Sequence, residues 1–245
     1  MSWVTIIWAM IASACLTLAL VYLPVWWRRR EARANLLFAA TAVATAVFAG
    51  FELWMMRAET PVAFGTALRW GHAPIWVVFV SLVGFVQLYL RAGRSWLAWA
   101  ACGLRTLSLI LNFVFAPNLN YREITALRHV SFLGETVVVA EGVPNPWMLI
   151  GQLSLLLLMI FVADAAVTVW QRGDRRLAVV LGGSIVFLVG AGSGQAILTL
   201  WGIIHVPITA SLFFLAMWRP WATNLARTCS ARRGCRKICA TARSA

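Results

Sequence analysis

The sequence predicts an all-α polytopic membrane protein: a bundle of seven transmembrane helices, amino terminus outside and carboxyl terminus inside, with a short outer cap between helices four and five. Three observations predict it. Hydrophobic residues make up 62% of the 245 and charged residues only 12%, about half of the roughly 25% typical of soluble domains. With a mean hydropathy of +0.81, that excludes a water-soluble globule and leaves little chain for a soluble catalytic domain. The apolar residues also fall into runs that match a ~30 Å hydrocarbon core, which takes ~20 residues of helix to cross. Finally, the basic residues, 21 against 8 acids, gather after alternate runs.

The first run is Trp3 to Trp27, closed by Arg28-Arg29-Arg30. No positive segment precedes it and no small-residue cleavage site follows, so it reads as an anchor rather than a removed signal peptide. The second run is Asn35 to Met56, the third Ala73 to Leu90, and the fourth Ser95 to Ala116. A polar stretch, Pro117 to Pro146, then interrupts the pattern. Within it Arg128 to Leu133 and Thr136 to Ala140 are short Val- and Thr-containing runs around Gly134-Glu135, which suggests a hairpin. About thirty residues are too few for an independent domain, so this segment is expected to cap the outer helix ends. The fifth run is Trp147 to Trp170, followed by Arg172-Gly173-Asp174-Arg175-Arg176. Leu177 to Met217 is twice one span and is divided near Trp201-Gly202 into helices six and seven. The expected division is thus a membrane domain, 1–218, and a basic cytoplasmic tail, 219–245.

Charge sets the expected orientation. Loops after helices one, three and five carry Arg28, Arg29, Arg30, Arg33, Arg91, Arg94, Arg172, Arg175 and Arg176, and the tail adds seven more. Loops after helices two and four carry two each. Positive residues concentrate on the cytoplasmic side, so an odd number of spans, beginning outside, fits. Tryptophan agrees, because indoles favour both membrane–water interfaces. Trp3, Trp54, Trp70, Trp76, Trp147 and Trp201 fall at the outer level, and Trp26, Trp27, Trp96, Trp99, Trp170 and Trp218 at the inner level.

Ionisable groups inside a bilayer cost ~2.5–3.5 kcal/mol each on insertion scales and are the default functional candidates. Three stand out: Glu52, Arg105 and Asp164. At ~1.5 Å rise per residue they lie about 25, 15 and 9 Å above the inner boundary. Arg105 and Asp164 are therefore expected to pair between helices four and five, as a structural clamp or a functional switch. Glu52 lies near the level of His72, with Trp54, Trp70 and Trp76 close in sequence. Such a group could bind a small polar ligand or sense protons, since histidine titrates near physiological pH; interfacial anchoring with one satisfied pair is the plainer alternative. Gln87, Asn112, Gln152 and Gln195, with Gly182, Gly183, Gly190, Gly192 and Gly194, read as helix packing.

Enzyme readings find little support. Gly192-Ser193-Gly194 has Ala191 where an intramembrane serine protease motif needs glycine, and His205 falls in a turn. The three histidines, 72, 129 and 205, are not at paired helical spacing, and Cys229, Cys235 and Cys239 form no CxxC. No catalytic residue, metal site or cofactor is expected. The expected partner is the lipid bilayer, not nucleic acid.

Several stretches carry a resemblance: Phe51-Glu52-Leu53-Trp54, Arg69-Trp70-Gly71-His72, Ser81-Leu82-Val83-Gly84-Phe85, Asn118-Leu119-Asn120-Tyr121-Arg122-Glu123-Ile124, Gly142-Val143-Pro144-Asn145-Pro146-Trp147 and Gly151-Gln152-Leu153-Ser154. Over about residues 20–217 the chain resembles the N-terminal seven-helix membrane region of bacterial PAS-containing sensor histidine kinases. The resemblance implies an inner-membrane sensor that passes a signal through helix seven to cytoplasmic PAS, phosphoacceptor and ATP-binding domains, often as a homodimer. The ligand does not follow from it.

The chain departs from that pattern after Met217, where 28 residues carry no histidine and no nucleotide-binding glycine boxes. With every histidine on the outer side, no kinase activity is expected of this polypeptide; a separate cytoplasmic signalling partner would be needed. The tail has two readings. In a shifted frame, codons for Trp218 to Leu225 and Thr228 to Thr241 permit an amphipathic, charge-mixed helix, which suggests a frameshift near residue 217. Alternatively it is a genuine basic segment lying on anionic lipid at ~1 kcal/mol per arginine. A small transporter or channel subunit is the second functional class, kept open by Arg105 and Asp164, although no internal repeat supports it.

Overall fold

A computed structural model of the chain describes residues 2–216. The tail, with both readings of it, lies outside the described residues. Among the described residues, six helices are long and apolar enough to cross a membrane: α1 (Trp3–Arg28), α2 (Arg33–Met56), α3 (Pro61–Phe85), α4 (Ser95–Val114), α5 (Met148–Gln171) and α6 (Arg175–Leu200). A wider π turn extends α3 over Val86–Leu90, and another lies inside α6 at Ala178–Gly183. Residues 210–216 open a further helix, α7. Of the seventh expected span, residues 203–209 are not helical, 210–216 are, and only Met217 lies outside the described residues.

Neighbouring helices run antiparallel. The α1–α2 pair is tied by Arg57 to Thr5 at one end and by Tyr22 against Phe38 at the other. Trp76 Nε1–H donates to Thr106 Oγ1 (2.9 Å) between α3 and α4, while Phe115 stacks on Trp147 where α5 begins. Small residues set the α5–α6 contact: a Cβ on Gly182 would lie 2.5 Å from that of Ala166. Leucine, valine and tryptophan side chains face outward along the bundle (Leu20, Val47, Leu156, Phe187) and at its ends (Trp3, Trp27, Trp96, Trp147). Helices α1 to α6 thus bury one stripe and present the rest to an apolar solvent.

The third helix begins at Pro61, twelve residues before the apolar run that predicted it. Thr60 caps it by accepting from Ala63 N–H (3.2 Å), and Pro61 occupies the first turn, where its missing donor costs nothing. With its π turn, α3 is 30 residues long, about 45 Å by helical rise, so it outreaches a hydrocarbon core. Hydropathy reads only the immersed part. Trp76 consequently sits mid-helix, not at an interface, and finds Thr106 for its indole N–H.

The cap is a longer hairpin than the sequence suggests. β1 (Tyr121–Phe132) pairs antiparallel with β2 (Glu135–Pro144). The turn is Leu133-Gly134, both at positive φ (52° and 79°), as a two-residue primed turn requires; Glu135 is already strand. Polar and charged residues in β1 hide the strand period. A Cβ on Gly142 would lie 2.2 Å from Glu123 O, so the irregular pairing near the open end requires glycine. β2 is buried through Val137–Ala140, whereas β1 is mostly exposed. β2 therefore lies across the helix ends with β1 outermost. Glu135 accepts from Ser2 Oγ and Trp3 N–H, which fastens the hairpin tip to the start of α1; the Ser2 hydrogen bond holds its carboxyl below the usual carboxylate range. At the hairpin base, burial pushes the Tyr121 phenol up to about 12.

Candidate functional site

The second turn from the end of α2 carries Glu52, which is 0% exposed. Trp8 Nε1–H donates to its Oε2 (2.9 Å), Ser211 N–H to its Oε1 (3.1 Å), and the Ser211 hydroxyl also to Oε2. A buried carboxylate needs such a donor set. Here the donors come from α1 and from the start of α7, so Glu52 holds three helices together. His72 is not among its partners. His72 Nε2 instead accepts from the Asn120 amide (2.8 Å), just before β1. The expected Glu52–His72 pair is therefore not formed, because equal depth on neighbouring helices does not mean equal azimuth. Trp54 and Trp70, 47% and 53% exposed, point outward. Trp54 stacks on Phe51 and Trp70 meets Phe113 edge-on. Neither touches Glu52 or His72.

The expected Arg105–Asp164 pair is also not formed. Asp164 accepts from Arg94 N–H (3.1 Å) and lies 3.6 Å from Arg94 Nε, at the turn before α4. Arg105 points the other way along α4. A Cβ placed on Gly151 would lie 3.6 Å from Arg105 Nη1, and Gly151 is thirteen residues, about 20 Å of helix, from Asp164. Depth counting put the two side chains about 6 Å apart but could not say which way a long arginine extends. The Asp164–Arg94 contact is partly exposed, at 28% and 68% of the side chains, and exposed ion pairs contribute ~0–1 kcal/mol. Asp164→Asn should accordingly lower the melting temperature in detergent by no more than about 2 °C; a drop near 10 °C would restore a clamp role.

Arg105 itself is only 6% exposed. Among the described residues it has no hydrogen-bond acceptor and no carboxylate partner; its one polar-type contact is the Phe79 ring, 5.7 Å from the guanidinium carbon. One turn on, Ser108 Oγ is buried and likewise without a partner. Both side chains face a cavity of ≈ 120 Å³ between α3, α4, α5, α6 and the start of α7. Its wall is apolar except for His72, Asn120, Gln152, Ser193 and these two donors. Gly151 keeps α5 open beside them: its Cβ would fall 3.0 Å from Ser108 Oγ.

The α6–α7 connection closes the cavity at the hairpin end. Gln195 donates to Pro207 O (2.6 Å) and accepts from Thr209 N–H and Oγ1 (3.2 Å each). Thr199 Oγ1 donates to Val206 O (3.0 Å). Non-helical backbone at this position needs such partners where water is scarce, which gives Gln195 a more specific task than packing. His205 meets Glu141 at 3.6 Å, while Ser193 faces the cavity, so the two do not form a catalytic couple.

The residues that sequence reasoning missed are Trp8, Ser108, Asn120, Gly151 and Ser211. One signal was available: Ala101, Arg105, Ser108 and Asn112 recur at helical spacing, and all four are buried. That places Arg105 on the packed face of α4 with a hydroxyl beside it. Comparison with protein-family models, with characterised proteins and with solved structures gives no match.

Proposed function

We propose that this chain is the input module of a signalling system: a seven-helix sensor in a bacterial inner membrane, amino terminus outside, that reads a small molecule and relays its presence through α7. One observation carries the reading. The cavity wall includes Ile208, Ala210 and Phe214, and the residue between them, Ser211, is the one that Glu52 holds. Whatever fills the cavity presses on the start of the helix that leads toward the basic tail. The positive-inside pattern supports the orientation, and the resemblance to sensor kinase membrane regions supports the direction of relay. A separate cytoplasmic protein would then supply phosphotransfer, and a second copy of the chain is a natural partner.

Ala196→Leu tests the coupling without any ligand. It adds three carbons to the cavity wall and should mimic occupancy. Backbone amide exchange at 208–212 is expected to rise at least tenfold as the Glu52–Ser211 contact loosens, with little change in α1 or α2. Unchanged exchange at those amides would count against a relay through α7.

A transporter is the second reading, favoured by Arg105 lying deep in the bundle and facing the cavity. Uptake of a labelled solute into proteoliposomes, abolished by Arg105→Met, would favour it over sensing.

A further inference from the structure

The observations go further than a generic ligand. We infer that the cavity binds a small organic monoanion, a carboxylate on an apolar body of about three carbons, with Arg105 and Ser108 as its headgroup contacts. The inference rests on the cavity being the input site proposed above, and it names what enters.

Arg105 and Ser108 stand three residues apart on α4, one above the other on the same face. They also lie close together beside α5, since an added Gly151 Cβ would be 3.0 Å from the Ser108 hydroxyl and 3.6 Å from Arg105 Nη1. A carboxylate has two oxygens; one can take the guanidinium fork and the other the hydroxyl. Ser108 Oγ has no hydrogen-bond partner, and Arg105 meets the Phe79 ring and no acceptor among the described residues. A buried cation and a buried hydroxyl left unpaired are each unfavourable, and a single anion would satisfy both.

Charge and size narrow the class. Arg105 is the one cation among the residues of the cavity wall; His72, whose Nε2 accepts from Asn120, stands there as an uncharged imidazole. A dianion such as phosphate would bring a second, uncompensated charge into the apolar surroundings. Most of the remaining wall is aliphatic and aromatic, including Phe79, Leu155, Leu158 and Val189. A volume of ≈ 120 Å³ is below the ~150 Å³ of a protein cavity known to hold the six carbons of benzene, so headgroup and body together come to about six non-hydrogen atoms. The fit is to a short carboxylate, not to an aromatic acid, a long acyl chain or a bare halide.

The test uses the full chain in detergent or nanodiscs, with butyrate and propionate as probes. Butyramide serves as the neutral isostere, chloride as the bare ion and inorganic phosphate as the dianion. Binding is read by calorimetry and by the ligand-induced shift in melting temperature. Butyrate or propionate is expected to bind the wild type and raise its melting temperature; butyramide, chloride and phosphate are expected to do so at least tenfold less well. Arg105→Met should weaken carboxylate binding at least thirtyfold, and Ser108→Ala about three- to tenfold. Gly151→Ala, which leaves both donors in place but sets a methyl against them, should also weaken it at least tenfold. That variant guards against a misfolded Arg105 substitution.

No binding of either carboxylate would overturn the inference. So would equal binding of butyramide or chloride, or unchanged carboxylate binding by Arg105→Met. The sensor reading fails separately. Butyrate that binds but leaves amide exchange at 208–212 unaltered would keep the ligand class and remove the relay. A neutral compound that alters this exchange equally in wild type and Arg105→Met would do the reverse.

Discussion

Glu52→Leu is expected to lower the melting temperature of the detergent-solubilised protein by about 10 °C. The substitution keeps the side chain apolar-compatible and near in volume, so cavity formation is not the cause. What is lost is the common acceptor for Trp8 Nε1–H, Ser211 N–H and Ser211 Oγ–H. Each buried donor left without a partner costs ~1–3 kcal/mol in soluble proteins. Interhelical hydrogen bonds in lipid average nearer ~0.6 kcal/mol, because the unfolded helices find other partners. Three donors then amount to about 2–5 kcal/mol, which at ~2–4 °C per kcal/mol for a chain of this size gives a shift near 10 °C. Glu52→Gln retains an acceptor and the shape and should cost less than half as much. Equal losses from Gln and Leu would mean that the carboxylate charge, not its acceptor role, holds α7.

Arg105→Met should have the opposite sign. Without added ligand, the variant is expected to melt about 3–6 °C higher than the wild type. Insertion scales put an arginine at mid-helix at ~2.5–3.5 kcal/mol unfavourable, and nothing among the described residues offsets this except the Phe79 ring, worth ~0.5–2 kcal/mol at most. Methionine has similar length, no charge and enough freedom to fill part of the cavity. The net gain is about 1–2 kcal/mol. Proteins commonly give up stability of this size at binding sites. A fall of several degrees would instead make Arg105 a structural tie, and the cavity would lose its claim to be a site.

Much of the architecture was legible. The five boundaries marked by arginine or proline clusters fall within a few residues of helix ends in the structure, because a charged run and an apolar run differ by several kcal/mol in lipid. The start of α3 was not legible by hydropathy, since its first turns leave the hydrocarbon and pack beneath the hairpin. Thr60-Pro61 could have marked it, as a capping residue followed by proline. The hairpin was found but shortened, because alternation is hidden where β2 is buried on both faces.

The site was legible as a set of residue types and not as a set of contacts. Glu52, His72 and Arg105 all prove to be buried or to line the cavity, yet both predicted pairings fail. Depth is one coordinate of three. The azimuth of Arg105 could be read from the spacing of Ala101, Ser108 and Asn112, but the direction its side chain extends depends on Gly151, on another helix. Ser211 carries no sequence mark of its role; its position follows from the non-helical stretch 201–209, which ends where Glu52 can reach it.

The side chains of Gln195 and Thr199 also constrain how any displacement can spread. Four hydrogen bonds stitch residues 206–209 to the last two turns of α6. A piston stroke of α7 along its own axis would have to break them. A shared tilt of α6 and α7 would not. The two helices should therefore swing as one stiff lever, with the small-residue contact at Gly182 and Ala166 as its fulcrum.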